Sequence, residues 1–488
     1  MNVKTPFWVS KILKYCLLLF SSLLVLGIVN YIFFIYKNQG IEKGVLLILC
    51  FALTFVLVLF FCYLLAKIPD NEKSNKLTLL TLLIVFMLIS YLWIYLTPSY
   101  QTSDYNKFWC TTVQALNGRA IYKTDNNYFA KWAYQTGFLT YLMLIVKVFG
   151  AHIRVLQLLN IIYQVIILIL LYCLTQKLFQ KVVFSRWCVF LMEINLEWFC
   201  LNNRLSNQYI ALMFFLLALY MIINNHSYKN WILAAISLAI GNFFRPLGII
   251  YFAAIIVFSL IYYIIANAKR GKRNFFRLLT FIATYFLLLA GLNWSIQVSG
   301  LNEYGLSNHD SSWKFVTGLN YQSSGTYRRF IDKKFDLNVK RQEMQKQEEK
   351  VTRENIQYLN HNHLWLKLFI HKFNCLWSYP SNSLDYTLFG RKFGQVTYEL
   401  LLVAAYAVNS VEMIFMLIGA FAVLNKKMPY RAYLLLLILF AYAAVQLLIE
   451  VQGRYRIEFT PILVIFSLFG IQKVFTEIDM KRRNYEPR

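Results

Sequence analysis

Charge is scarce in this sequence, and acidic charge most of all. Only 15% of the 488 residues are Asp, Glu, Lys or Arg, and 23 of them are acidic; a soluble domain carries about 25% charged residues. The six histidines are scattered, which leaves no ligand set for a dedicated zinc site. A glycine-rich phosphate loop is missing, and so is the internal repeat that marks many transporter folds. The eight cysteines build no framework. Cys16, Cys50, Cys62, Cys173, Cys188 and Cys200 lie within or at the ends of apolar runs, and only Cys110 and Cys375 fall in polar segments, where spacing alone establishes no disulfide.

What fills the chain instead is apolar: hydrophobic residues make up 59% of it. Runs of span length recur at 16–36, 45–66, 77–96, 156–174 and 276–294. Each can cross a hydrocarbon core of about 30 Å at about 1.5 Å per residue. A soluble fold is excluded, and the predicted class is an all-α, polytopic membrane bundle of about 12 spans.

The net charge of +26 suits a nucleic-acid protein only if the basic residues share one face. Here they punctuate the apolar runs in short clusters, as the positive-inside rule requires, so the expected partner is the lipid bilayer and not nucleic acid. The clusters are the amino terminus (Lys4, Lys11, Lys14), 67–76, 176–181, 224–230, 268–277, 425–431 and the tail beyond 473. Lys269-Arg270-Gly271-Lys272-Arg273 is the strongest. The amino-terminal run has no small-residue cleavage site and reads as an uncleaved anchor.

Placing every cluster inside fixes a parity. Spans are expected near 15–36, 44–66, 77–97, 153–176, 183–201, 207–224, 231–247, 249–267, 276–297, 396–424, 431–449 and 456–475. The apolar stretch 137–150 breaks this parity if it crosses. It is only 14 residues long, contains Lys147 and ends in Gly150, so it is assigned to the outer interface. The organisation is then three membrane helices over 1–97, an outer loop with juxtamembrane helices over 98–152, and membrane helices over 153–297. A large outer loop over 298–395, three further helices over 396–475 and a cytoplasmic tail over 476–488 complete it. Within the large loop a charged helix over 339–359 is expected, with Glu349 placed to pair with Arg353, and an amphipathic piece over 364–377.

Polar residues of chemical interest gather on the outer side. Asp104, in Ser103-Asp104-Tyr105, follows the third span; a carboxylate at the membrane boundary gains proton affinity and is a candidate base. The bland alternative is that Ser103 or Asp104 caps a helix through 108–116. Glu193 and Glu197 sit late in an apolar run, where a carboxylate is costly; Glu197 is placed to pair with Arg204 or to act directly. Arg245-Pro246-Leu247-Gly248 sets a guanidinium at a tight outer turn. Glu450-Val451-Gln452-Gly453-Arg454-Tyr455-Arg456 sets two more at another. Such guanidiniums suit bidentate phosphate binding, and snorkelling to the interface is the alternative. Asn320 and Tyr327 belong to a polar, glycine-hinged stretch that reads as a substrate loop or an ordinary turn.

These features resemble the GT-C superfamily of membrane glycosyltransferases that use polyprenyl-phosphate sugars, which includes the protein mannosyltransferases and aminoarabinose transferases. The resemblance rests on Asp104, on Leu116-Asn117-Gly118 with Tyr122, on the short element ending Phe149-Gly150, on Arg245-Pro246 with Gly248, and on Gln452-Gly453-Arg454-Tyr455-Arg456 with Pro461. It covers about 100–475, and the two helices before Leu77 are extra. It implies sugar transfer, inverting or retaining, from a polyprenyl-phosphate donor to an envelope glycan or lipid-linked acceptor, on the extracytoplasmic face of a bacterial cell membrane. Asp104 is then the catalytic carboxylate, and Arg245, Arg454 and Arg456 contact the donor phosphate. Relatives often carry a second acidic residue in the next outer loop, where this chain has Asn202, Asn203, Arg204 and Asn207. Either Glu197 takes its place or it is dispensable, which leaves a divalent metal open as the only cofactor. Relatives also often have proline where Ala133 stands. Two rivals remain: a polysaccharide polymerase or ligase, for which His309 is the candidate outer-loop histidine, and a flippase for lipid-linked oligosaccharide.

Overall fold

The computed structural model describes residues 7–224, 227–266 and 268–485. Lys4 of the amino-terminal cluster, residues 225 and 226 of the 224–230 cluster, the side chain of Lys269 and the last three residues of the tail lie outside the described residues. Every regular element among the described residues is helical. The chain opens with α1 (Phe7–Gln39), α2 (Ile41–Lys67) and α3 (Glu72–Leu96). Asn71 starts α3 by accepting a bond from the Ser74 amide at 2.9 Å, which satisfies one of the orphan donors of a helix start. Leu19, Phe33, Leu49, Val56, Phe60 and Leu88 on these helices are exposed, an outward face suited to lipid. Three short helices follow: α4 (Ser103–Leu116), α5 (Tyr128–Lys131) and α6 (Thr136–Phe149).

The centre of the molecule holds α7 (Ile153–Phe179), α8 (Val182–Ile194), α9 (Leu196–Phe199), α10 (Asn207–Asn224), α11 (Tyr228–Phe244), α12 (Gly248–Phe258, continued in wider turns through Ile265) and α13 (Ala268–Val298). The large loop contributes α14 (Trp313–Gly318), α15 (Arg341–His361), α16 (Trp365–Phe373) and α17 (Phe389–Phe393). Last come α18 (Gln395–Leu424), α19 (Ala432–Leu448) and α20 (Thr460–Tyr485). The expected tail is thus helical through Tyr485 as a continuation of α20. In the core, α18 and α20 touch backbone to backbone: a Cβ on Gly470 would overlap the Phe415 carbonyl, so only glycine permits the approach.

Nine described helices are long and apolar enough to cross a membrane, against the 12 expected. The other three are α11 and α19, of 17 residues each, and α8, of 13. The expected span over 183–201 is broken because Asn195 leaves the helix. Its side chain accepts from the Trp198 amide at 3.1 Å and donates to Glu412 at 2.7 Å, which starts a new short turn.

Contacts between distant segments sort the helix ends into two sets. At one end Lys14 Nζ donates to the Lys426 carbonyl at 2.6 Å, and Arg186 donates to the Ile68 and Pro69 carbonyls at 2.8 and 2.9 Å. That end collects the basic clusters. At the opposite end Arg154 donates to the Ile94 carbonyl at 2.6 Å and Gln157 to the Asn203 carbonyl at 2.8 Å, so α7 begins where α3 finishes. Helix α6 begins at this end too, where Thr136 Oγ1 accepts from Asn302 at 2.8 Å, and it runs into α7 without leaving it. It is pressed so tightly on α11 that a Cβ on Gly137 would overlap the Phe243 carbonyl. The 14-residue stretch therefore starts and finishes at one end of the bundle.

Candidate functional site

The end opposite the basic clusters carries a cavity of about 750 Å³ lined by Asp104, Tyr327, Arg245 and Arg454, among others. Its walls come from the entry to α4, the α11–α12 turn, the start of α10, the large loop and the α19–α20 connection. Six lining residues are basic (Lys107, Lys131, Arg245, Lys314, Arg341, Arg454) and three acidic (Asp104, Asp332, Glu450), so the cavity prefers an anion.

Asp104 lies in the first turn of α4, and Thr102, not Ser103 or Asp104, occupies the cap position. No side-chain bond closes that cap, so the capping alternative does not describe Asp104. Its carboxylate accepts instead from Arg454 Nη2 at 3.3 Å. Arg454 is aimed by its surroundings. The backbone amide donates to Asn382 at 2.9 Å, Nε to Gln452 at 2.9 Å and Nη1 to the Tyr105 hydroxyl at 3.0 Å, while the guanidinium lies 4.3 Å from the Tyr386 ring. Burial opposes its charge, but Tyr105, Tyr455, Tyr386 and Asp104 outweigh burial and hold it firmly protonated.

Arg245, at the turn between α11 and α12, pairs with the buried Glu458 and donates to Asn207 at 3.2 Å. It also covers Tyr455, at 5.6 Å from the ring. Two further cations approach the same ring, Lys314 at 5.6 Å and Arg454 at 5.8 Å. Tyr455 is thus the hub of a three-cation cluster. Its hydroxyl is pushed up to about 12 by burial and then by Glu450, so the phenol stays neutral. Lys314 is bound to Glu450 at 2.7 Å. Burial raises the Glu450 carboxyl, yet Lys314, Gln452 and Arg454 overcome it and bring it below its ordinary value. At neutral pH Lys314, Glu450 and Arg454 are therefore all charged.

The other expected residues are distributed differently. Arg456 faces away from the cavity; it pairs with Glu197 and donates to the Trp377 and Tyr379 carbonyls at 2.7 and 2.8 Å. Glu197 also accepts from Asn409 at 2.9 Å and from the Ser381 amide at 3.0 Å. Its expected partner Arg204 donates to the Tyr100 carbonyl instead. Asn320 is buried in a turn, accepting from the Ser323 amide at 3.0 Å, and does not line the cavity, whereas Tyr327 does and donates to Asp332 at 2.6 Å. His309 is buried, held by Asp310 at 2.6 Å and the Val339 carbonyl at 3.1 Å, and faces no part of the cavity. Glu349 accepts from Gln345 at 3.1 Å in place of Arg353. Lys314, Glu458 and the central role of Tyr455 had no signal of their own in the sequence.

A divalent metal needs converging oxygen or nitrogen ligands. Among the described residues no three or more His, Cys, Asp or Glu side chains are arranged to hold a metal ion, and the Asp104 carboxylate already faces a guanidinium. The residues present do not fit such an ion.

No protein-family model matches the sequence. No curated protein matches it. Among solved structures it is similar to the oligosaccharyltransferase AglB of the archaeon Archaeoglobus fulgidus. The complex of that enzyme with an inhibitory peptide and a dolichol-phosphate gives a TM-score of 0.47 at 13% identity, over 84% of this chain and 52% of that one. The same enzyme tethered to an acceptor peptide with the NVT sequon gives 0.45 at 13%, over 84% and 51%. Its complex with zinc and sulfate gives 0.47 at 13%, over 82% and 50%. The chain spans about half the length of these structures.

Proposed function

We propose that this protein is a membrane glycosyltransferase of the GT-C type. It takes a sugar from a polyprenyl-phosphate donor and passes it to an envelope glycan or lipid-linked acceptor, in the extracytoplasmic half of a cell membrane. The observation that carries the reading is the contact between Asp104 and Arg454 at the wall of a cationic cavity, at the end of the bundle opposite the basic clusters. By the positive-inside rule that end is extracytoplasmic.

The chemistry follows from the donor inventory. A guanidinium has five N–H groups. Arg454 spends one on Gln452, one on Tyr105 and one on Asp104, which leaves two for phosphate oxygens. Lys314 and Arg245 add charge beside the same ring. In the transfer the acceptor oxygen bonds to the sugar anomeric carbon, and the bond from that carbon to the phosphate oxygen breaks. The electron pair leaves with the lipid phosphate, where the cations stabilise it. The acceptor proton passes to Asp104, whose carboxylate is the base. No step in this scheme runs through a metal.

The test is transfer from radiolabelled polyprenyl-phosphate sugars by the protein in proteoliposomes. Asp104→Asn keeps the shape of the side chain and removes the base, so turnover is expected to fall by roughly 100-fold or more. Unchanged transfer by a variant that melts like the parent protein would end the assignment.

A further inference from the structure

A second cavity, of about 440 Å³, lies at the basic end of the molecule. It is bounded by the last turns of α7 (Tyr172, Gln176, Lys177), by Tyr220 near the end of α10 and by Arg431 just before α19. Its two charged lining residues are cations, and no carboxylate lines it. Lys177 makes no hydrogen bond or ion pair among the described residues. Arg431 lies over Tyr430 at 5.7 Å and its guanidinium engages the Tyr263 hydroxyl, while its buried Nε has no hydrogen-bond partner among the described residues. Gln176 has its carbonyl oxygen engaged by Ser185 at 3.3 Å, which leaves the amide nitrogen to donate. Beyond Tyr172, outside the lining, stand Arg186 and Asp70.

A half-buried cavity whose charged lining residues are both cations favours an oxyanion rich in lone pairs. Its position says which one. The cavity sits at helix ends, and the face of α7 that leads to it from the middle of the bundle exposes Ile162 and Ile169. Ile162, Ile169 and Cys173 follow one another at helical spacing, so an apolar track ends at the cationic cavity. A soluble phosphate has no use for such a track, whereas a phospholipid has both parts. We propose that this cavity binds the phosphate of an anionic membrane lipid of the leaflet at the basic end, with Lys177 and Arg431 as its cations and the α7 face as the path of its acyl chains.

The proposal is tested on the purified full-length protein by native mass spectrometry with phosphatidylglycerol, phosphatidylcholine and inorganic phosphate as probes. Phosphatidylglycerol binds more tightly than phosphatidylcholine, and Lys177→Gln weakens it about fivefold, the effect of one cation at a headgroup. Arg431→Gln does the same. Lys177 is half-buried at a helix end, so its variant decides the matter if Arg431→Gln does not fold. Lys73→Gln, at the same end but outside the cavity, leaves binding unchanged. Equal weakening by Lys177→Gln and Lys73→Gln overturns the site in favour of diffuse surface attraction. Inorganic phosphate that binds and is not displaced by phosphatidylglycerol overturns the lipid assignment.

Discussion

Arg454 and Arg456 stand two residues apart, in a stretch where the sequence gives both the same candidate role, and their surroundings separate them. Arg454 has aromatic walls and lines the cavity; Arg456 is turned away from it and buried against a carboxylate and two carbonyls. Substitution therefore has opposite signatures. Arg454→Lys keeps the charge but loses the planar fork that grips Asp104, Gln452 and phosphate together. Steady-state transfer is expected to fall by about 10²-fold, the scale of one lost transition-state donor, with the melting temperature little changed. Glu197→Gln removes a charge that Arg456 needs in a dry place, since both are nearly fully buried. Breaking such a pair from one side costs about 3–5 kcal/mol, so thermal unfolding in detergent is expected to shift down strongly. A Glu197→Gln protein of parent stability that has lost transfer activity would instead make Glu197 the missing second carboxylate. Asp104, Arg245 and Arg454 were legible in the sequence because a charge at the edge of an apolar run needs a reason. Lys314 was not, because it is one lysine in a charge-rich loop and its partner Glu450 is 136 positions away.

Among elements, long helices bounded by lysine and arginine were readable from hydropathy alone, since each crossing needs its full length of apolar residues. The break at Asn195 was not. An asparagine inside an apolar run reads as a tolerated polar residue, and what ends α8 is a partner on α18, 217 positions away. The charged helix of the large loop was expected over 339–359 and forms as α15. Its buried face holds a carboxylate that periodicity cannot flag. Glu348 is buried, and its Oε2 accepts from the Ser312 amide at 2.8 Å just before α14. Burial pushes its carboxyl up to about 8; the Ser312 amide opposes this, Asp310 adds to it and Lys131 relieves it. The unfolded chain has the ordinary value of 4.5, so the native state is the stronger proton binder between the two values. Stability is then greatest below about pH 4.5 for this group and declines as pH rises from there towards 8. Limited proteolysis of the large loop at pH 6 and pH 8.5 is expected to find it more resistant at pH 6. Glu348→Gln can still accept from Ser312 and should flatten the difference; an unchanged difference in that variant would assign the pH response to another group.

For the molecule as a whole, the functional reading depends on which end faces out. The basic clusters gather at one end and the Asp104 cavity at the other, and α6 keeps this order by starting and finishing at the cavity end. If the 14 residues of α6 crossed, α7 could not begin at Ile94, where Arg154 binds. The chain supplies its own probe of the arrangement. All eight cysteines are free, and Cys110 on α4 is the exposed one, its Sγ resting 3.5 Å from Asn106 at the cavity end. A thiol held at the outer surface reacts with a membrane-impermeant maleimide without entry of the reagent. Intact cells producing the protein are therefore expected to label it, and Cys110→Ser to abolish the labelling. A cysteine placed at Lys73 in the Cys110→Ser background, at the basic end, should label only after the membrane is opened. Labelling of the Lys73→Cys position alone in sealed cells would invert the molecule, and a donor phosphate on the outer leaflet would then have no cationic cavity to meet.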